Sequence, residues 1–245
     1  MTDPVVLRSM ATSPNARVMV FVDGQNLYKT CRQLFGHPLC HPHLLAEYLA
    51  GPRTVHAPSC RFYTGRPNQN VPGQGNNLRN LDRRLAAIRR SGVTVITRTL
   101  RYHWDWGHRE RLPTPTFDAG PQMVTLRPWQ RPHEKGIDLA LALDVVELSL
   151  TGALDVAIVV SLDRDLQEIP LALRKLRAFL ARPVRLEAAV PVVDGSQPKI
   201  LPGFAYTHQI TPAVFELIRD DTDYTVDDSM WTPPELPESL DHPEP

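Results

Sequence analysis

Short apolar runs alternate along this chain with longer stretches of helical spacing. The runs at 18–22 (VMVFV) and 156–160 (VAIVV) are continuous, largely β-branched and five residues long, the mark of strands buried on both faces. Further strands are predicted at 61–64, 93–98 and 185–190, the first strand taken from residue 17. Helices are predicted at 26–34, 43–49, 78–90, 138–150, 166–181 and 211–219. In 78–90 the apolar residues Leu78, Leu81, Leu85 and Ile88 recur in steps of three and four. Gly152 stops the helix before the second apolar run. Alternating strands and helices predict an α/β fold of three layers, α/β/α, around a mostly parallel central sheet of about five strands. Residues 101–134, rich in Pro, Trp, His and Arg, break the alternation and read as a long irregular loop, usually functional or mobile.

The pattern divides the chain into a flexible leader at 1–16, one domain at 17–219 and an acidic, Pro-rich tail at 220–245 that reads as disordered. The chain has 245 residues, 42% of them hydrophobic, enough for one sizeable core. No apolar run approaches the roughly 20 residues that span a bilayer, so no membrane association is expected. The first residues lack a basic start followed by an apolar segment, so no signal peptide is expected. Cys31, Cys40 and Cys60 form no CxxC pair. An odd, sparse cysteine count points to a reducing compartment, with the cytoplasm as the default.

The net charge of zero hides an asymmetry. From Asp220 onward there are nine acidic residues and no Lys or Arg, so residues 1–219 carry an excess of nine basic side chains. A basic body suits a polyanionic partner, and it is equally compatible with a solvated, Arg-rich surface. The same two readings hold for the helix at 78–90, which carries Arg79, Arg83, Arg84, Arg89 and Arg90. Tyr102, Trp104, Trp106 and Trp129 either stack bases or pin their loop to the core.

Chemistry enters where the apolar runs end. The run at 18–22 leads into Asp23, and the run at 156–160 leads through Ser161 and Leu162 into Asp163, Arg164 and Asp165. Open α/β sheets bind ligands at the carboxyl ends of their strands. Asp138 opens the helix before the second run; alone, it is compatible with a plain helix-start residue. Asp144 lies six residues on, about 240° around the helix, and reads either as the cleft rim or as a surface charge. Together, Asp23, Asp138, Asp163 and Asp165 would offer carboxylates from three elements at one sheet edge. Converging like charges call for a cation. Oxygen ligands select Mg²⁺ or Mn²⁺. Such ions activate water and polarise phosphoryl oxygens, which points to phosphodiester hydrolysis. A rival cluster, His37, Cys40, His41 and His43 with Cys31 nearby, offers zinc ligands at a spacing that matches no standard finger. No GxGxxG, GxSxG, P-loop or HExxH motif occurs.

VMVFVDGQNLY, EKGIDLALALDVVELSL and VAIVVSLDRDLQEIP resemble the three signature blocks of the NYN domain. That is a PIN-like nuclease fold, and the blocks look like the branch near the LabA and DUF88 proteins. FYTGRP and the stretch FAYTHQITPAVFELIRDDTDY have the same look. The resemblance implies a metal-dependent ribonuclease with Mg²⁺ or Mn²⁺ held by Asp23, Asp138, Asp163 and Asp165. It gives Asn26, Asp144 and Ser161 supporting roles. Lys135 is implied to meet substrate phosphate; Arg164, a cation beside the ligands, would either weaken metal binding or clamp a phosphate, and Arg83 and Arg84, on a basic helix, would steer the strand by charge. The chain departs from the family pattern at Leu162, where the block usually has Gly, and at Arg164. Both departures favour an alternative: a non-catalytic module of the same fold that binds RNA or a protein partner. A phosphatase acting on a small substrate is a further reading. The expected partner is RNA, single-stranded or structured, and a homo-oligomer or protein partner stays open.

Overall fold

The computed structural model describes residues 13–53, 59–68, 75–106, 128–133, 136–193, 195–196 and 201–226. Residues 1–12 of the expected leader, Lys135 and the acidic stretch from residue 227 lie outside them. In chain order the elements are β1 (Val18–Asp23), α1 (Gly24–Phe35), α2 (Pro42–Ala50), β2 (Ser59–Arg66), α3 (Gly75–Arg90), β3 (Thr94–Thr99), β4 (Arg101–Trp106) and β5 (Pro128–His133). There follow α4 (Ile137–Leu150), β6 (Val156–Val160), α5 (Glu168–Lys175), β7 (Arg185–Pro191), β8 (Tyr206–Ile210) and α6 (Pro212–Ile218).

Six strands form one parallel sheet in the order β3-β2-β1-β6-β7-β8. The strand pleat sorts the side chains into two layers. Val18, Val20 and Val22 pack with Leu27 and Cys31 of α1, Leu45 and Leu49 of α2, Leu85 and Ile88 of α3 and Phe215 of α6. Phe21 joins the opposite layer with Ile137, Leu141 and Val145 of α4 and Ile169 and Leu173 of α5. Asp23 stands two residues beyond Phe21 and therefore on the α4 side of the sheet. All five residues of β6 are buried, as the centre of a parallel sheet with helices on both faces requires.

The order of strand addition reverses across β1. The first three strands build outward on one side, and the chain then returns to place β6 on the other. The crevice between β1 and β6 is thus the topological switch point, where doubly wound sheets bind ligands. The pairing Val22↔Val160 sets the ends of these two strands level. Their beginnings are pinned by Arg17, which donates from Nε to Asp155 Oδ2 at 3.0 Å and from Nη2 to Oδ1 at 3.0 Å. Arg17 holds the Asp155 carboxyl down at about 2, its hydrogen bond outweighing partial burial.

Toward the β7–β8 edge of the sheet lies a buried ionic group that the sequence reading did not single out. Glu187 on β7 accepts from Arg53 Nη1 at 3.0 Å and from Arg185, and His208 Nε2 on β8 lies 2.8 Å from it. Glu187, Arg53 and His208 are all at most 1% exposed. The remaining Arg53 donors close the end of α2 on the carbonyls of Leu49 and Ala50, both at 2.9 Å. Burial alone would raise the Glu187 carboxyl; the surrounding donors hold it at about 2 instead.

The structure departs from the sequence pattern in four places. A sixth strand, β8, escapes because its inward positions include His208, a polar residue that breaks the apolar alternation. The helix expected at 166–181 is a 3₁₀ turn at Arg164–Gln167, then α5, then a second 3₁₀ turn at Arg177–Phe179. Pro170 has no N–H for the carbonyl four residues back, so an α ladder cannot run through unbroken. The stretch 101–134 contains an antiparallel pair, β4 with β5, in register Arg101↔His133 to Trp106↔Pro128. Finally, the expected boundary at 219/220 falls too early. Asp220 is buried, with its N–H donating to Leu39 O at 3.1 Å, and the described chain continues against the body to Val226. Among the described residues no helix is long and apolar enough to cross a membrane.

Candidate active site

β1 runs into α1 without a linker, so Asp23 is both the last strand residue and the helix N-cap. Its Oδ1 accepts from Asn26 N at 3.0 Å, satisfying one of the orphan donors of the first turn. Its Oδ2 accepts from Ser161 Oγ at 3.0 Å. The turn is tight enough to need Gly24: a Cβ there would run into the Phe62 ring and lie 2.8 Å from Tyr63 O.

The end of β6 answers this arrangement. Ser161, 2% exposed, donates to Asp23 and accepts from Asp163 N at 3.1 Å. Asn26 Oδ1 accepts from Leu162 N at 3.0 Å. Asp163 Oδ1 accepts from Asp165 N at 3.0 Å and caps the 3₁₀ turn. Asn26 and Ser161 thus each make a hydrogen bond across the crevice. Leu162 takes no positive φ, so its side chain brings no left-handed strain to the turn where the family pattern has Gly. Arg164 is exposed and makes no hydrogen bond or ion pair with the described residues.

Asp138 reaches the crevice from the opposite layer. Gly136 at the α4 N-cap has φ 84°, a left-handed conformation suited to glycine, and α4 follows with Asp138 in its first turn. Loss of water around the Asp138 carboxyl, then the like charges of Asp23, Asp163 and Asp165, push it up to about 6; Lys29 opposes them. The residue stays open to solvent on one side, where screening weakens each of these interactions. Burial also raises the Asp23 carboxyl, with Asp163 adding to it; the bonds from Asn26 and Ser161 and the charge of Lys29 act against this. The four carboxylates therefore share one electrostatic environment, centred on the switch point. Among the described residues, however, no three His, Cys, Asp or Glu side chains are grouped closely enough to hold a metal ion as they stand.

The remaining expected residues are distributed differently. Asp144 turns away from the crevice: its Oδ2 accepts from Tyr63 Oη at 2.6 Å and Arg61 Nη2 at 2.7 Å, both on β2. Arg84 is occupied, with Nη2 donating to Cys40 O at 3.2 Å and Nε 3.6 Å from the buried Asp220 carboxylate. Arg83 donates from Nη1 to Thr225 O at 2.6 Å. These two arginines fasten the C-terminal segment to α3. The histidines and cysteines of the rival zinc cluster form no metal-holding group among the described residues: Cys31 and Cys40 meet each other in the core, the buried His41 stands edge-on to His43 with ring centroids 6.3 Å apart, His37 Nε2 lies 3.1 Å from Asp220 O, and His43 faces Glu47 at 3.3 Å.

The sequence reading missed Lys29, the cation that acts on both Asp23 and Asp138. Its spacing held the signal. It lies three residues after Asn26, and so on the same face of a helix that starts at Asp23.

One solved structure similar to this chain is that of a protein of unknown function from Vibrio parahaemolyticus RIMD 2210633, 16% identical, covering 81% of this chain and 94% of that one with a TM-score of 0.47. No curated protein matches the chain. The family model described as NYN domain matches residues 17–184, a span that holds Asp23, Asn26, Asp138, Ser161, Asp163 and Asp165, and that family is in general nuclease-like. The chain belongs to the NYN domain family.

Proposed function

We propose that this protein is a metal-dependent ribonuclease whose centre is the carboxylate crevice between β1, β6 and α4. The observation that carries this reading is the hydrogen-bonded joining of Asp23, at the end of β1, to Ser161 and Asp163 at the end of β6, at the switch point of the sheet. An acidic crevice in a body with an excess of basic side chains favours a divalent cation and a polyanion together. The donor set fits a hard ion: every member is a carboxylate oxygen and none is a soft ligand. Asp23, Asp138 and Asp163 would hold it once their side chains close in from the spacing they have without it, with Asp165 nearby and water completing the coordination, as Mg²⁺ commonly requires. Once bound, the cation supplies Lewis-acid polarisation of a phosphoryl oxygen and a lowered pKa for water.

The chain's own residues do the positioning. Asn26 N and Ser161 Oγ fix both oxygens of Asp23, so its orientation is set before any ligand arrives. Ser161 relays that constraint to Asp163 through the Asp163 N–H. Arg164, exposed between two carboxylates, is available to a substrate phosphate. The test is cleavage of a labelled single-stranded RNA in Mn²⁺. Wild type should cleave, and Asp23→Asn and Asp163→Asn should each lose about 10² or more in rate.

The spacing of the carboxylates supports a second reading, a module that binds RNA without turnover. A wild-type protein that binds the RNA and leaves it intact at saturating Mn²⁺ would establish that reading over the first.

A further inference from the structure

A pocket of about 420 Å³ lies beside the crevice, on the β2 side of α1. Its volume falls within the range of small-molecule sites. Gly24 and Gln25 form the edge nearest Asp23, Thr64 extends it along β2, Asn77 and Asn80 come from α3, and Tyr224 closes it from the C-terminal segment. Tyr28 lies on its rim, an aromatic side chain 39% exposed on α1.

The walls are fixed independently of any ligand. Tyr224 Oη donates to Asp220 Oδ2 at 2.9 Å, and Arg83 holds the carbonyl of Thr225 at 2.6 Å. Asp220 is itself buried against Arg84. A built wall of this kind is unusual for a segment that the sequence marks as the start of an acidic tail. The polar lining combines the carboxamides of Gln25, Asn77 and Asn80 with the hydroxyls of Thr64 and Tyr224 and with Arg84, whose guanidinium is already engaged by Asp220 and the Cys40 carbonyl. The side chains of Asn80 and Gln25 make no hydrogen bond or ion pair with the described residues. Each carboxamide presents a donor and an acceptor side by side, a pattern adenine meets on both its Watson–Crick and Hoogsteen edges (N6–H with N1 or with N7), whereas cytosine and uracil meet it on the Watson–Crick edge alone. Aromatic faces nearby suit a base plane.

We infer that this pocket receives a nucleobase of the bound strand, adenine before the other bases, from a nucleotide neighbouring the phosphate held at the crevice. Asn80 is then a specificity-determining residue and Tyr28 its stacking partner. The proposal rests on the nuclease reading only for the statement that the strand is RNA and that its phosphate lies over Asp23.

The test is fluorescence anisotropy of the full chain with labelled oligoadenylate, oligocytidylate and oligouridylate, without divalent metal, for wild type and Asn80→Ala. Asn80 is a partly exposed helix position, so the substitution leaves the core intact. Wild type should prefer oligoadenylate by about tenfold. Asn80→Ala should bring its affinity down to that of the other two RNAs. Equal affinity for all three in wild type, or a preference that survives Asn80→Ala, would overturn the pocket. Cleavage in Mn²⁺ is scored separately. A protein that cleaves all three alike, in an Asp23-dependent way, keeps the nuclease and loses the pocket. A protein whose adenine preference depends on Asn80 but that never cleaves keeps the pocket and loses the nuclease.

Discussion

Asp138 and Asp144 lie on one helix and do opposite things. Asp138 feels the like charges of the carboxylates at the crevice; Asp144 accepts hydrogen bonds from a guanidinium and a phenol on β2. Asp144→Ala should therefore destabilise the fold by about 1–3 kcal/mol, because it removes the acceptor shared by Arg61 Nη2 and the Tyr63 hydroxyl in a half-buried site and leaves them only the bond between Arg61 Nε and Tyr63 Oη. Mn²⁺ affinity should be unchanged, as urea denaturation and a metal titration together would establish. A loss of Mn²⁺ affinity equal to that of Asp23→Asn would place Asp144 in the ligand set after all. Much of this division was legible in the chain. Asp23, Ser161 and Asp163 follow apolar runs directly, so the sheet edge they occupy can be read from the runs. The fates of Asp144 and Arg84 were not legible, because Arg61, Tyr63 and Asp220, which decide them, are remote in sequence and become neighbours only through packing.

The elements explain why the crevice forms where it does. β1 and β6 must end level, and their register is set at the far end by Arg17 and Asp155 and along the strands by apolar pairs such as Val20↔Ile158. The sheet also carries its least replaceable interaction away from the crevice. Glu187→Ala would strand Arg53, 1% exposed, without its carboxylate. The expected cost is about 3–5 kcal/mol, read from the denaturant midpoint. The sign of the pH effect follows from a folded carboxyl at about 2 against an ordinary 4.5. The stabilisation is complete above 4.5 and disappears as pH falls from there toward 2. A Glu187→Ala protein as stable as wild type would contradict this. The strand order that creates the switch point was only partly legible: the six-stranded register required β8, whose buried His208 hides it from an apolar pattern.

At the scale of the whole molecule the charge asymmetry remains, shifted along the chain. Residues 220–226 belong to the folded body, where Asp220 neutralises Arg84. Residues 227–245 hold six acidic side chains and no Lys or Arg, which leaves the rest of the chain with an excess of six basic ones. Removing 227–245 should tighten RNA binding about several-fold at low salt, with the difference fading as salt screens it. Affinity that is the same with and without those residues at low salt would contradict a competing role for them. The acidic crevice and the basic body come together in the dependence of RNA cleavage on pH. The Asp138 carboxyl is raised from 3.8 to about 6, so the folded state holds this proton more tightly than the unfolded chain does. Stability without metal should fall as pH rises from about 4 to 6, and a bound cation, which needs the ionised form, reverses that trend. The most direct measurement is the pH–rate profile of Mn²⁺-dependent RNA cleavage, for wild type and Asp138→Asn. The wild-type rate should rise with pH to a midpoint at or below about 6, lower at higher Mn²⁺, and should fall by about 10² or more in Asp138→Asn. A profile flat between pH 4 and 8, or an Asp138→Asn protein that cleaves as wild type does, would contradict it.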